Sequence, residues 1–97
     1  MDIETLRAQI DKIDNELTKI FTERMEISQL ISQYKKENKM MVFDRNRERE
    51  ILTRVTENAS PELEVYIKTL FLTLFSLSRS YQNALLAQGS PLADDIR

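Results

Sequence analysis

The chain has no cysteine and no histidine, and only one glycine and two prolines among its 97 residues. Without the first two there is no thiol nucleophile, no disulfide framework, no Cys/His metal site and no imidazole base. With breakers confined to Pro61, Gly89 and Pro91, and with Leu, Ile, Glu, Lys and Arg abundant, the composition predicts an all-α chain. No apolar run is long enough to span a bilayer, and the acidic, amphipathic N-terminus is not that of a signal peptide. The expectation is a cytoplasmic protein with no membrane contact. A basic excess is lacking too. Fourteen Lys and Arg stand against sixteen Asp and Glu, for a net charge of −2, which argues against a nucleic-acid partner. This length makes one domain at most.

What the sequence does have is a regular apolar series. Ile3, Leu6, Ile10, Ile13, Leu17, Ile20, Ile27, Ile31 and Tyr34 follow one another in steps of three and four, with one gap. That is the seam of a long amphipathic helix packed against another helix. Asp2 can cap it, and Glu37-Asn38 should stop it near Lys36. At ~1.5 Å per residue such a helix is roughly 50 Å long, about twice the ~26 Å width of a compact chain of this size. The remainder of the chain is too small to cover that seam. The expected assembly is an intertwined homodimer with the first helices packed together.

The gap in the series falls on Arg24. An arginine stays protonated at any relevant pH, and burying its charge costs several kcal/mol unless an anion meets it. The mismatch points to an anion, internal or bound, inside the helical bundle. Lys35 lies eleven residues on, about 20° around the helix and ~16 Å along it. Two long cationic side chains on one face could embrace a small anion. Taken alone, Lys35 in the run Lys35-Lys36 reads as a solvated lysine. Arg7 is seventeen residues from Arg24, roughly 25 Å along the axis. It can share a ligand with Arg24 only if a second chain donates it. On spacing alone it reads as a surface arginine paired with Glu4 or Asp11.

Beyond the loop Lys39–Phe43, Asp44 should cap a second helix over about Arg45 to Glu57. Asp44, Glu48, Ile51 and Val55 share one stripe of it. Glu48 could therefore face the interior and accept a hydrogen bond from a ligand hydroxyl, or it could belong to the surface ion pairs of the charged segment 45–50. Asn58 to Pro61 is a break. Ser60 as N-cap with Pro61 at the first helical position should start the third helix, which runs to about Leu86 or Ala87. Its apolar stripe Ile67, Phe71, Leu74 continues into Ser78 and Gln82 and returns at Leu85. Two polar groups on a core face need partners. Serine can bond back to a carbonyl, but a primary amide is harder to satisfy. Residues 1–88 form the expected domain, and 89–97 a flexible tail or linker.

All three helices could thus aim donors and one carboxylate at a common pocket. No nucleophile–base pair is evident. Fixed positive charge without His or Cys suits binding of a polycarboxylate, or a reaction that needs only conformational restraint and electrostatic stabilisation.

In this order and spacing, Leu6-Arg7, Ile10-Asp11, Ile13-Asp14, Glu23-Arg24, Lys35, Val42-Phe43-Asp44, Arg47-Glu48, Ser78 and Gln82 make a specific set. The sequence resembles the all-helical class of chorismate mutases from Leu6 to about Leu86. The resemblance implies an intertwined homodimer of three-helix chains with two active sites. There chorismate would rearrange to prephenate, on the way to phenylalanine and tyrosine, with no cofactor and no metal. It implies that Arg24 and the partner's Arg7 bind the two substrate carboxylates. Lys35 and Gln82 would donate to the ether oxygen, and Glu48 would hold the ring hydroxyl. Asp44, Arg47 and Ser78 would line and support the pocket. Alternatives are an isochorismate–pyruvate lyase on the same scaffold and a non-catalytic helical dimerisation or regulatory module. Whether the domain stands alone or begins a longer enzyme is open at this point.

Overall fold

A computed structural model describes residues 1–88; the tail expected over 89–97 lies outside them. Three helices follow in order, α1 (Ile3–Glu37), α2 (Arg45–Glu57) and α3 (Glu64–Gln88). Among the described residues there is no strand, so the all-α expectation holds. None of the described helices is long and apolar enough to cross a membrane.

α1 begins where Asp2 accepts a hydrogen bond from the Thr5 backbone N–H at 2.7 Å. That bond, made to the charged form, holds the Asp2 carboxyl below the usual carboxylate range. The helix ends in two overlapping hydrogen bonds. Met40 N–H reaches the Lys35 carbonyl at 2.8 Å and Lys39 N–H reaches that of Lys36 at 3.3 Å, the pattern of a Schellman motif. This motif needs a left-handed residue just past the helix, and Lys39 supplies it at φ 55°. A side chain with a Cβ occupies that region at a cost of about 1–2 kcal/mol. The turn sends the chain back along the helix end, and α2 starts at the Asp44 cap, which accepts from Arg47 N–H at 3.0 Å.

α3 starts later than the Ser60-Pro61 signal predicts. Residues 61–63 form a turn, and the helix begins at Glu64. The atom engaged is the Ser60 backbone carbonyl, which accepts from Leu63 N–H at 3.0 Å. An i to i+3 bond tightens the chain there before the wider helical repeat sets in.

Both α1 and α2 pack on α3. The inward stripes of α2 and α3 are the expected ones, except that Asp44, spent as the α2 cap, is exposed. Glu48, Ile51 and Val55 are half-buried on α2, as are Ile67, Phe71, Leu74 and Leu85 on α3, with Ser78 and Gln82 buried among them. Phe71 and Phe75 meet edge to face at 6.2 Å.

α1 behaves differently. The face it buries carries Ser28 and Ser32, not the isoleucine series. Every residue from 1 to 20 is exposed, and Ile10, Ile13, Leu17 and Ile20 keep 54–61% of their surface. The long axis of the chain is 56 Å, with a radius of gyration of 17.3 Å against about 12 Å for a compact chain of this length. Phe75 is the buried hydrophobic residue among the described ones, in the company of four buried polar side chains, Ser28, Ser32, Ser78 and Gln82. An interior this polar belongs to a cavity rather than to a closed oily core.

Candidate active site

That cavity has a volume of about 390 Å³ and draws its wall from all three helices and the loop between α1 and α2. Ile27, Ile31, Val42, Ile51 and Phe75 supply its apolar part. Seven of the eight residues singled out above line it: Arg24, Lys35, Asp44, Arg47, Glu48, Ser78 and Gln82. The eighth, Arg7, is exposed on the free half of α1. The two ion pairs among the described residues are Arg47–Glu50 and Arg79–Glu48, so Arg7 is salt-bridged to neither Glu4 nor Asp11.

Arg24 sits where α1 changes character. One turn before it is the exposed Ile20, and one turn after it is the buried Ser28. Burial pushes its guanidinium below the ordinary arginine range, and the charge of Arg47 adds to the push. It is a cation short of an anion, yet still protonated at neutral pH.

Lys35 is held by the loop. Its Nζ donates to the Val42 carbonyl at 2.6 Å, a contact made possible by the turn at Lys39. An ammonium has three N–H groups, so this bond orients Lys35 and leaves two donors free. Asp44 is occupied as a helix cap, and Arg47 pairs with Glu50 at 3.1 Å on the exposed side of α2.

On the α3 wall the polar residues bond one another. Ser28 Oγ and Ser78 Oγ lie 2.8 Å apart, and Gln82 Nε2 donates to Ser78 Oγ at 3.1 Å. Ser78 therefore meets a side chain of α1 and one of its own helix instead of bonding back to a backbone carbonyl. Gln82 Oε1 is buried with no partner. The second Nε2 hydrogen is also uncommitted, because a primary amide carries two donors. Such a group is costly unless a ligand completes it.

Two wall residues, Ser28 and Arg79, and the buried Ser32 one turn beyond Ser28 went unread in the sequence. Ser28 and Ser32 escape a search for apolar periodicity because they are polar. Arg79 escapes because its partner, Glu48, is 31 residues away in another helix. It donates from Nη1 to both Glu48 oxygens, at 2.6 Å to Oε1, and its Cζ stands 5.0 Å from the centre of the Phe43 ring. Only its spacing from Phe75 and Gln82, four residues after one and three before the other, hinted at an inward position.

The cavity wall thus holds four cations, Arg24, Lys35, Arg47 and Arg79, and two carboxylates, Asp44 and Glu48. The ion pairs Arg47–Glu50 and Arg79–Glu48 leave Arg24 and Lys35 without a carboxylate partner among the described residues, which favours an anionic ligand. Among the described residues no group of three His, Cys, Asp or Glu side chains could hold a metal ion. No curated protein and no solved structure matches the chain. The family model for chorismate mutase type II matches residues 6–83, a span that takes in α1 from Leu6, all of α2, and α3 through Asn83, and the chain belongs to that family.

Proposed function

We propose that this protein is a chorismate mutase, converting chorismate to prephenate in a homodimer with two shared sites. The observation that carries the reading is the single cavity in which Arg24, Lys35, Glu48 and Gln82 converge from three helices around unbalanced positive charge.

The reaction is an intramolecular rearrangement. One C–O bond breaks as one C–C bond forms, and no proton or electron enters or leaves. Negative charge grows on the ether oxygen as the C–O bond lengthens. The chain needs no acid or base for this. It needs a cradle for the reactive conformer and donors for the oxygen. Arg24 binds one carboxylate and regains its missing counter-charge. One free hydrogen of Lys35 Nζ and the free Nε2 hydrogen of Gln82 meet the two lone pairs of the ether oxygen. Glu48 accepts from the ring hydroxyl. Asp44 and Arg47 brace the α2 side, and Ser78 braces Gln82.

A ~10⁶-fold acceleration corresponds to about 8 kcal/mol. One donor placed at developing charge contributes about 3–4 kcal/mol. Restraint of the flexible enol-pyruvyl arm can supply the rest.

The second carboxylate falls to Arg7 from the other chain. The exposed series Ile10, Ile13, Leu17 and Ile20 is the surface that a second α1 would cover, and such an apolar stripe left in water is a mark of association. An antiparallel pairing of the two α1 helices carries Arg7 of one chain to the Arg24 level of the other.

The test is direct. The purified protein is incubated separately with chorismate and with isochorismate, and the products are identified. Prephenate from chorismate supports the proposal. Pyruvate released from isochorismate alone would assign the cavity to a lyase. No turnover of either would leave a binding or dimerisation module.

A further inference from the structure

Arg79 is the one charged residue of the cavity wall that this reading leaves without a task. Its guanidinium is fixed from two directions. Nη1 donates to both oxygens of Glu48, at 2.6 Å to Oε1, and the group stacks over Phe43 at 5.0 Å. A residue of α3 thereby ties α2 to the loop that also holds Lys35. The Glu48 and Arg79 side chains are 23% and 33% exposed, so salt screens the pair less than it would a surface pair.

The geometry bears on Glu48 itself. This carboxylate follows Arg47 in the chain and shares the cavity with Arg24. Left loose, it would be drawn to one of those cations, because opposite charges attract strongly where water is partly excluded. It would then cancel the positive charge that a dianionic ligand must find. Arg79 holds it away from them. An ionised carboxylate offers about four acceptor positions, and the fork from one nitrogen takes one on each oxygen. The others remain for a donor in the cavity.

We propose that Arg79 is a positioning residue that makes Glu48 a reader of a ligand hydroxyl and keeps Arg24 open for a carboxylate. It sets specificity for a hydroxylated dianion without touching that ligand. The inference rests on reading the cavity as a chorismate site.

The test compares chorismate with the analogue in which the ring hydroxyl is replaced by hydrogen, in wild type, Arg79→Met and Arg79→Lys. Wild type should lose about 10- to 100-fold in kcat/KM when the hydroxyl is removed, as for a hydrogen bond to a charged acceptor. In Arg79→Met that ratio should fall to within about threefold, the scatter expected of uncoupled changes, while KM rises for both compounds. Arg79→Lys should restore part of the discrimination. A purely structural role would lower activity toward both compounds and leave the ratio as in wild type, and that result overturns the proposal. If Arg79→Met does not fold, as judged by helix content and sedimentation, Arg79→Lys decides by the same ratio, which must fall below that of wild type. Wild type that converts chorismate, with an unchanged ratio in the variants, defeats this inference alone. Wild type that leaves chorismate untouched defeats the functional reading and the inference with it.

Discussion

Replacing Arg24 by methionine should make the empty protein more stable and the working protein useless. The side chain is half-buried, and burial and Arg47 both disfavour its charge. Neither ion pair among the described residues involves it. Methionine keeps the length and helix propensity of the stem and removes the charge. Stabilising changes of this kind contribute about 0.5–2 kcal/mol, and each kcal/mol raises Tm by roughly 4–8 °C in a domain of 60–100 residues. The cost appears with ligand. Losing one partner of a buried charge pair weakens an interaction by about 2–5 kcal/mol, which is roughly 30- to 5,000-fold in kcat/KM. Prephenate, as a dicarboxylate product, gives the matching equilibrium measurement. At a hundredfold excess over the wild-type Kd it should stabilise wild type by about 2.7 kcal/mol and the variant by less than about 1 kcal/mol. Thermal melts at one fixed protein concentration should therefore rank the variant above wild type without prephenate and below it with prephenate. A variant that melts lower in the absence of ligand would mean that Arg24 already has an internal counter-charge, and the reasoning would fail.

Lys35→Ala should cut kcat by about 10²- to 10³-fold, the usual loss for one donor at developing charge, with helix content and dimer mass unchanged. Activity near wild type would remove Lys35 from the mechanism. Arg7→Ala and Arg24→Ala chains, each inactive alone, should recover about a quarter of wild-type activity when exchanged one to one, because half the symmetric dimers are then hybrids with one complete site. No recovery after subunit exchange, verified by mass, would exclude the shared site. Gln82→Glu should work only as the pH falls toward the carboxylic range of about 4–5, where the side chain still has a proton to donate. A flat profile of kcat against pH would contradict the donor role. Lys39→Gly should raise stability by about 1 kcal/mol, since glycine occupies the left-handed position after a helix without strain, and an unchanged or lower Tm would refute that account.

The parts of the structure legible in the sequence are those governed by local chemistry. Asp2 and Asp44 cap α1 and α2 where an aspartate before a helical pattern should. The inward stripes of α2 and α3 follow from residue spacing, and they put Glu48, Ser78 and Gln82 on the cavity wall together. Arg24 and Lys35 share a face because eleven residues make nearly three whole turns. Less local features were illegible. Ser60-Pro61 promised a helix start but makes a turn, because the Leu63 N–H that a capping Ser60 hydroxyl would accept from is donated to the Ser60 carbonyl. The α1 seam, read as a packing surface, is left open by this chain, and the surface that α1 lays on α3 carries serines that apolar periodicity does not count. Arg79 pairs across 31 residues, a relation that no window along the chain contains.

The two serines also have a geometric consequence. Ser28 and Ser32 are 4% and 2% exposed, and they lie one turn apart where α1 meets α3. Side chains this short act as a spacer gauge between two rods. Ser28 forms part of the wall, whereas Ser32 does not. A slightly longer residue at position 32 would shim the rods apart and widen the chamber without altering any group that lines it. The bore of this site can therefore be tuned from behind its wall, one methylene at a time.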